Sequence, residues 1–172
     1  MKKVFLLLVL LFSIATLSGC NQAGSLQGVK SIKKEDIFNQ KEDKYYIYFH
    51  RLDCEDCEAS APYVIQYAHM LKDYKGCAGK RKIYAVLLYT EEEKPGEEVY
   101  IYRKYTGEDG QGTDGNYYVN GVTDWRDLYI ATTSSLIAIN TEGGVKTARY
   151  SAQGWESVRD KLNAQLGSCH LK

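Results

Sequence analysis

Two cysteines separated by two residues, Cys54 and Cys57, are the residues of this chain best suited to chemistry. They follow an unbroken aromatic and β-branched run at positions 45–49, which is typical of a buried strand, and they precede a helical pattern. The first sulfur is therefore expected at the N-terminus of a helix, where unpaired N–H groups and the helix dipole favour a thiolate. The second sulfur would lie one turn further along, close enough to form a disulfide with the first. This arrangement predicts thiol–disulfide exchange.

The segment from residue 44 to residue 67 resembles the active-site strand, loop and helix of the thioredoxin-like superfamily. Pro62 adds to the resemblance, because it stands eight residues after Cys54, where thioredoxins carry a helix-kinking proline. A weaker similarity extends over about residues 42–168. The resemblance implies an α/β fold with a thioredoxin-like mixed β-sheet flanked by helices on both faces. It also implies that Cys54 is the attacking thiol and Cys57 the resolving thiol, with no cofactor.

The chain departs from the family pattern at three places around the disulfide. Residues 53–57, Asp-Cys-Glu-Asp-Cys, replace the thioredoxin W-C-G-P-C, and Tyr48 stands where the family has a buried acid. Ser134 occupies the position of the cis-proline that faces the disulfide in the family. Because a cis bond before a residue other than proline is unfavourable, a trans peptide is expected there.

Acidic side chains crowd the expected start of the helix: Asp53, Glu55, Asp56 and Glu58. Like charges disfavour a thiolate on Cys54, so they predict a reducing or neutral couple rather than a strongly oxidising one. Arg51 would offset part of this charge. An alternative is that these acids simply stabilise the helix N-terminus.

His50 precedes Cys54 by four positions and gives the pattern H-x3-C-x2-C. Imidazole and thiolate ligands suit soft metals such as copper, so His50, Cys54 and Cys57 are an alternative three-ligand metal site. The other interpretation is that His50 packs at the end of its strand. The preferred expectation is that no metal is bound.

The first 19 residues have the pattern of an export signal, with Lys2 and Lys3 followed by an apolar run at positions 4–12. That run is too short for a membrane-spanning helix, which needs ~20 residues. The signal ends Leu-Ser-Gly-Cys at positions 17–20, which resembles the lipobox of bacterial lipoproteins. The resemblance implies cleavage before Cys20 and acylation of its sulfur with fatty acids such as palmitate. An ordinary secretory signal followed by a chance cysteine is the alternative.

Removing residues 1–19 leaves 153 of the 172 residues, enough for one domain with a sizeable core. Residues 20–41 are expected to be a flexible, lipid-anchored linker, with an irregular first strand as the alternative, and residues 42–172 the domain. The mature chain has 20 basic and 22 acidic residues. This balance gives no indication of a nucleic-acid partner.

The remaining cysteines, Cys77 and Cys169, are an even remainder that invites a second bridge. Outside the cytoplasm such a disulfide persists. The thioredoxin-like topology implies that the active-site helix and the last helix run the same way on one sheet face. Cys77 follows the first of these helices and Cys169 the second, so both would lie at the pole opposite the active site. A structural disulfide is expected, and two free thiols are the alternative.

The other elements follow from local patterns in the order β, α, β, α, β, β, α. The predicted helices cover about residues 55–75, 97–105 and 154–166. Strands are predicted at 82–89, 135–140 and 145–150, with a hairpin turn at 141–144, a Gly-rich loop at 107–115 and a capped helical turn near Thr123 or Asp124.

These features together predict a lipid-anchored, extracytoplasmic thiol–disulfide oxidoreductase of a bacterial membrane. Its partners would be the thiols or disulfides of exported proteins and a membrane redox protein that recycles it. The alternative is an accessory or binding module of the same fold, for a secreted peptide or a soft metal such as copper, with little redox turnover.

Overall fold

A computed structural model describes residues 25–88, 119–128, 130 and 133–171. Within them the chain forms a five-stranded mixed sheet in the order β1-β3-β2-β4-β5. The strands are β1 Lys30–Ser31, β2 Lys44–Arg51, β3 Lys82–Leu88, β4 Ser135–Glu142 and β5 Val145–Gln153. Strands β1 and β2 both run parallel to β3, whereas β4 is antiparallel to β2 and β5 is antiparallel to β4. Helix α1 covers Glu55–Asp73 and helix α2 covers Trp155–Leu166.

Strand β2 lies at the centre of the sheet and is buried on both faces. Its side chains alternate between two cores, as the pleat of a strand requires. Tyr45, Ile47 and Phe49 belong to one core, and Tyr46 and Tyr48 belong to the other. The run at 45–49 is continuously apolar and aromatic because a core covers each face of β2.

Both described helices lie on the face of the sheet that carries Tyr46 and Tyr48. That core includes buried side chains from α1 and α2: Val64, Tyr67, Val158, Leu162 and Leu166. The opposite core is covered by side chains outside regular helices and strands: Ile37, Val119, Leu128 and Ile130. The mixed α/β sheet is thus confirmed, whereas the helix expected at 97–105, the candidate for the second face, lies outside the described residues.

Part of the expected linker is folded onto the domain. Strand β1 pairs with β3, and the neighbouring side chains of Val29 and Ile37 are 7% and 0% exposed. The expectation of a flexible linker is wrong for this stretch, where the alternative, an irregular first strand, is found. The physical reason is that each buried apolar side chain gains about 1.5 to 3 kcal/mol, which outweighs the flexibility of the nearby Gly and Ser residues.

The hairpin predicted at 141–144 is present, with longer strands than expected. Gly143 and Gly144 have φ of 59° and 83°, which suits the two-residue turns that connect twisted antiparallel strands. So tight a turn lets Glu142 pair directly with Val145, and the ladder continues to Gln153.

The other local predictions agree with the structure to within a few residues. Helix α1 ends at Asp73, slightly before the predicted end, and a 3₁₀ turn follows at Lys75–Cys77. The predicted capped turn is the 3₁₀ turn Trp125–Asp127, where the side chain of Asp124 accepts a hydrogen bond from the N–H of Arg126 at 2.9 Å.

Backbone and side-chain groups of residues 119–122 cover part of the outer edge of β5. Gly121 N–H donates to the carbonyl of Ala148 at 2.9 Å, and Ala148 N–H donates to the carbonyl of Val122 at 2.8 Å. The N–H of Tyr150 donates to Oδ1 of Asn120 at 2.8 Å. These bonds occupy groups that an edge strand otherwise presents to solvent.

A disulfide joins Cys77 to Cys169, as expected from the sequence. The two cysteines are 92 positions apart in the chain and lie in the 3₁₀ turns that follow α1 and α2. Both are buried, at 0% and 4% exposure, among the apolar side chains that the two helices share. The bridge fastens together the helix ends remote from Cys54.

Candidate active site

The loop between β2 and α1 places a second disulfide at the start of the helix. Asp53 has a φ of 51°, in the left-handed region that Asp tolerates better than most residues, and it turns the chain into the helix. Cys54 then serves as the N-terminal cap, and α1 begins at Glu55. Cys54 and Cys57 are bonded through their sulfurs, with Cα atoms 5.1 Å apart. The predicted strand, loop, cysteine pair and helix are therefore all present.

Two hydrogen-bond donors face the sulfur of Cys54. The backbone N–H of Cys57 lies 3.1 Å from Cys54 Sγ, and the hydroxyl of Thr133 lies 3.3 Å from the same atom. A disulfide sulfur carries no proton, so Thr133 must be the donor in its contact. If the disulfide is reduced, both donors remain suited to stabilising a thiolate, because hydrogen bonds to the charged form favour it.

Both cysteines of this pair are largely buried. Cys54 is 5% exposed and Cys57 is 6% exposed. An attacking thiolate must reach one of the two sulfur atoms, so this small exposed area limits the access of a client.

The peptide bond between Thr133 and Ser134 is cis, so the expectation of a trans bond is wrong. Ser134 is held from two directions in this loop before β4. Its carbonyl accepts a hydrogen bond from Gly154 N–H at 2.9 Å, and its hydroxyl lies 2.9 Å from the hydroxyl of Ser60. The trans preference is a local property of the peptide bond, whereas these contacts come from distant parts of the chain.

Behind the disulfide, three hydroxyl groups form a fully buried cluster: Tyr48, Ser60 and Ser134, here called the hydroxyl cluster. The hydroxyl of Tyr48 lies 2.6 Å from Ser60 Oγ, which also contacts Ser134. Burial raises the pKa of Tyr48 above its ordinary value, although its side-chain hydrogen bonds with Ser134 and Ser60 oppose the rise. The cluster is therefore uncharged at neutral pH. The family resemblance implied a buried carboxylic acid at the position of Tyr48.

His50 packs inside the protein, at the end of its strand. Its ring stacks on that of Tyr48 with centroids 5.5 Å apart, and its Nε2 is buried with no hydrogen-bond partner among the described residues. Burial lowers the pKa of His50 to about 4, so the ring is neutral at pH 7. In the described part of the chain, no group of three or more His, Cys, Asp or Glu side chains is arranged to hold a metal ion.

The acidic side chains named from the sequence lie at the start of α1, as does the disulfide. Glu55, Asp56 and Glu58 lie in the first turn of α1, directly after Asp53. All except the half-buried Asp56 are exposed. Arg51 is half-buried, and its Nε has no hydrogen-bond partner within the described ranges. That these negative charges make the Cys54–Cys57 couple reducing or neutral stays a prediction.

Sequence reasoning missed two residues of the site, Ser60 and Thr133. The spacing of Ser60, three positions after Cys57 on a predicted helix, was the only signal that it faces the same way as the cysteine pair. Thr133 could have been found only through its neighbour Ser134.

Several predictions lie outside the described residues: the export signal at 1–19, the acylated Cys20 and the Gly-rich loop at 107–115. None of the helices in the described part of the chain combines the length and the apolar character that a membrane span requires. A comparison with protein-family models and with curated protein sequences finds no match to this chain.

Proposed function

We propose that this protein is an extracytoplasmic thiol–disulfide oxidoreductase that acts on exported proteins through Cys54 and Cys57. The single observation that supports this function is the disulfide between them at the N-terminus of α1. A sulfur in this position has an N–H donor already directed at it, and its partner sulfur is in bonding distance. The thioredoxin-like resemblance of the segment and the mixed α/β sheet agree with this proposal.

In the reductive direction, the thiolate of Cys54 attacks one sulfur of a client disulfide. A bond forms between Cys54 and that sulfur, and the other client sulfur leaves as a thiolate that takes up a proton from water. Cys57, having given up its proton, then attacks Cys54, which restores the internal disulfide and releases the second client thiol. The client gains two electrons and two protons. A dithiol protein of the membrane must then reduce the pair again.

The acids near the disulfide favour a reducing or neutral couple. Glu55 is exposed and adjacent to Cys54, and its charge opposes ionisation of the thiol. The hydrogen bonds from Cys57 N–H and Thr133 act in the opposite direction. The balance is expected to leave Cys54 with a pKa above the ~3.5 of strongly oxidising relatives.

Anchoring to a bacterial membrane is part of the proposal. The charged, apolar and small-residue order of residues 1–19, followed by Cys20, supports export and acylation. Labelling of expressing cells with a fatty-acid analogue tests it, because Cys20→Ala should abolish incorporation while Cys169→Ala should not.

Insulin reduction by the full-length chain tests the proposed activity, with Cys54→Ser as the inactive variant. Val64→Ala is a suitable control, because this buried helix residue has no part in the site. The proposal predicts turnover by the wild type and the control but not by Cys54→Ser. Cys57→Ala should accumulate a mixed disulfide with its client. Equal rates for wild type and Cys54→Ser would contradict the proposal.

A second function is favoured by the limited exposure of the two cysteines. With 5% and 6% of their surface accessible, the pair is also consistent with a binding or accessory module for a secreted peptide that exchanges disulfides rarely. Such a module would bind its partner equally well after Cys54→Ser. Co-purification of a partner with both wild type and Cys54→Ser, without insulin reduction, would identify this function.

A further inference from the structure

The hydroxyl cluster is the main buried polar feature that the mechanism above does not use. Ser60 is its centre, since its Oγ contacts the hydroxyls of both Tyr48 and Ser134. The three residues come from three separate parts of the fold: strand β2, helix α1 and the loop before β4. One oxygen atom therefore connects the helix that carries the disulfide to the loop that faces it.

The protons of the cluster can be assigned by counting. Ser60 has one proton, and its Oγ lies 2.7 Å from the carbonyl of Asp56 and 3.3 Å from that of Cys57. The shorter contact takes the proton, so Ser60 must accept hydrogen bonds from both Tyr48 and Ser134. Each of the three hydroxyl groups then has a hydrogen-bond partner, and none of them needs to be charged. A satisfied buried network of this kind holds its members in one arrangement.

The groups that Ser60 fixes are those that carry the two donors to Cys54. On one side it donates to the carbonyl of Asp56, in the turn of α1 that also contains Cys57, whose N–H lies 3.1 Å from Cys54 Sγ. On the other side it binds Ser134, the direct neighbour of Thr133, whose hydroxyl lies 3.3 Å from the same sulfur. The same serine thus contacts both segments that carry the donors.

We propose that Ser60 is a positioning residue for the Cys54 thiolate: it ties the Thr133 loop to the first turn of α1, so that both donors stay directed at Cys54 after the disulfide is reduced. This inference rests on the proposed function, because it assigns Ser60 a part in the reactivity of Cys54. Ser60 touches neither a client nor the reacting sulfur of Cys54. Its effect is exerted through Thr133 and the backbone of Cys57.

The test measures the ionisation of Cys54 in the reduced full-length chain. Alkylation by iodoacetamide is followed across pH, and mass spectrometry of the peptides separates Cys54 from the other cysteines. Ser60→Ala should move the midpoint of Cys54 upward by about one pH unit, a tenfold change in its acid dissociation constant. Val64→Ala, which removes buried apolar atoms one turn away, should leave the midpoint in place. An unmoved midpoint in Ser60→Ala, or an equal shift in both variants, would overturn the proposal.

A double-mutant cycle separates positioning from a general loss of structure. Because Ser60 acts partly through Thr133, Ser60→Ala should shift the midpoint less in a Thr133→Val background than alone. A full, additive shift would refute the link. If Ser60→Ala does not fold, Ser134→Ala removes the same connection and should raise the midpoint, whereas no change there would reject it. Insulin reduction by the wild type tests the exchange activity separately, so the two ideas can fail independently.

Discussion

Removing the hydroxyl of Thr133 should make the thiol of Cys54 less acidic. Thr133→Val keeps the shape of the side chain and deletes the one side-chain donor found 3.3 Å from Cys54 Sγ. A hydrogen bond to a charged group contributes about 1.5 to 3 kcal/mol, and sulfur is a weak acceptor, so the low end applies. Since 1.36 kcal/mol corresponds to one unit, the pKa of Cys54 should rise by about one unit.

The measurement is the ultraviolet absorbance of the thiolate, or the pH profile of alkylation, in the reduced protein. Thr147→Val is the matched control, because Thr147 lies on β5 opposite Asn140, at a distance along the sheet from Cys54. The control should titrate like the wild type. The couple should also become more reducing, because a less stable thiolate makes the reduced form less favourable.

An unchanged pKa of Cys54 in Thr133→Val would refute this reasoning. It would mean that the hydroxyl turns away from the sulfur once the disulfide is reduced, and that the N–H of Cys57 alone stabilises the thiolate. A fall in the pKa would be a stronger contradiction, because it would require the hydroxyl to accept rather than donate a hydrogen bond.

Three further predictions concern stability. Cys77→Ala with Cys169→Ala should lower the free energy of unfolding by about 4 kcal/mol in the chain-entropy treatment of so long a loop, measured by urea unfolding, while insulin reduction continues. If reduction of the wild type lowers the free energy of unfolding by less than the double substitution does, the loss is not due to the disulfide and the prediction is wrong. Burial lowers the pKa of His50 to about 4 from 6.5, so the unfolded chain binds the proton first as pH falls. Stability from this group is complete above pH 6.5 and is lost between pH 6.5 and 4, by about 3 kcal/mol. His50→Phe, which keeps a ring against Tyr48, should flatten the pH dependence of urea unfolding, and an unchanged slope would exclude His50 as its source. Gly144→Ala should cost about 1 kcal/mol in the same assay, because φ is 83° there, and a neutral effect would show that the turn adjusts.

The parts of the site that the sequence predicted are those formed by neighbouring residues. The aromatic run of β2, the cysteine spacing and the start of α1 all lie within residues 44–58, so local patterns were sufficient. The disulfide between Cys77 and Cys169 was predicted because the topology suggested by the family resemblance brings the ends of two helices together. For this pair of distant residues, the expected topology alone was enough to predict the contact.

The parts that were missed depend on contacts between distant residues. Ser60 is 12 positions from Tyr48 and 74 from Ser134, and Thr133 is 79 from Cys54. No local pattern distinguishes a serine in such a cluster from one on the surface of a helix. The folding of Val29 and Ile37 onto the sheet was missed for a related reason, because the apolar residues of this stretch are interspersed with Gly and polar residues and follow no regular period.

The bonds that residues 119–122 make with Ala148 and Tyr150 restrict how an extended polypeptide can approach this protein. An extended chain that pairs with β5 would first have to displace these bonds. At the opposite edge of the described sheet, β1 consists of only the two residues Lys30–Ser31. A second copy of the protein meets the same obstacle. The edge of β5 is thus less available for extension of the sheet, and the same bonds oppose the joining of copies into fibrils through that edge.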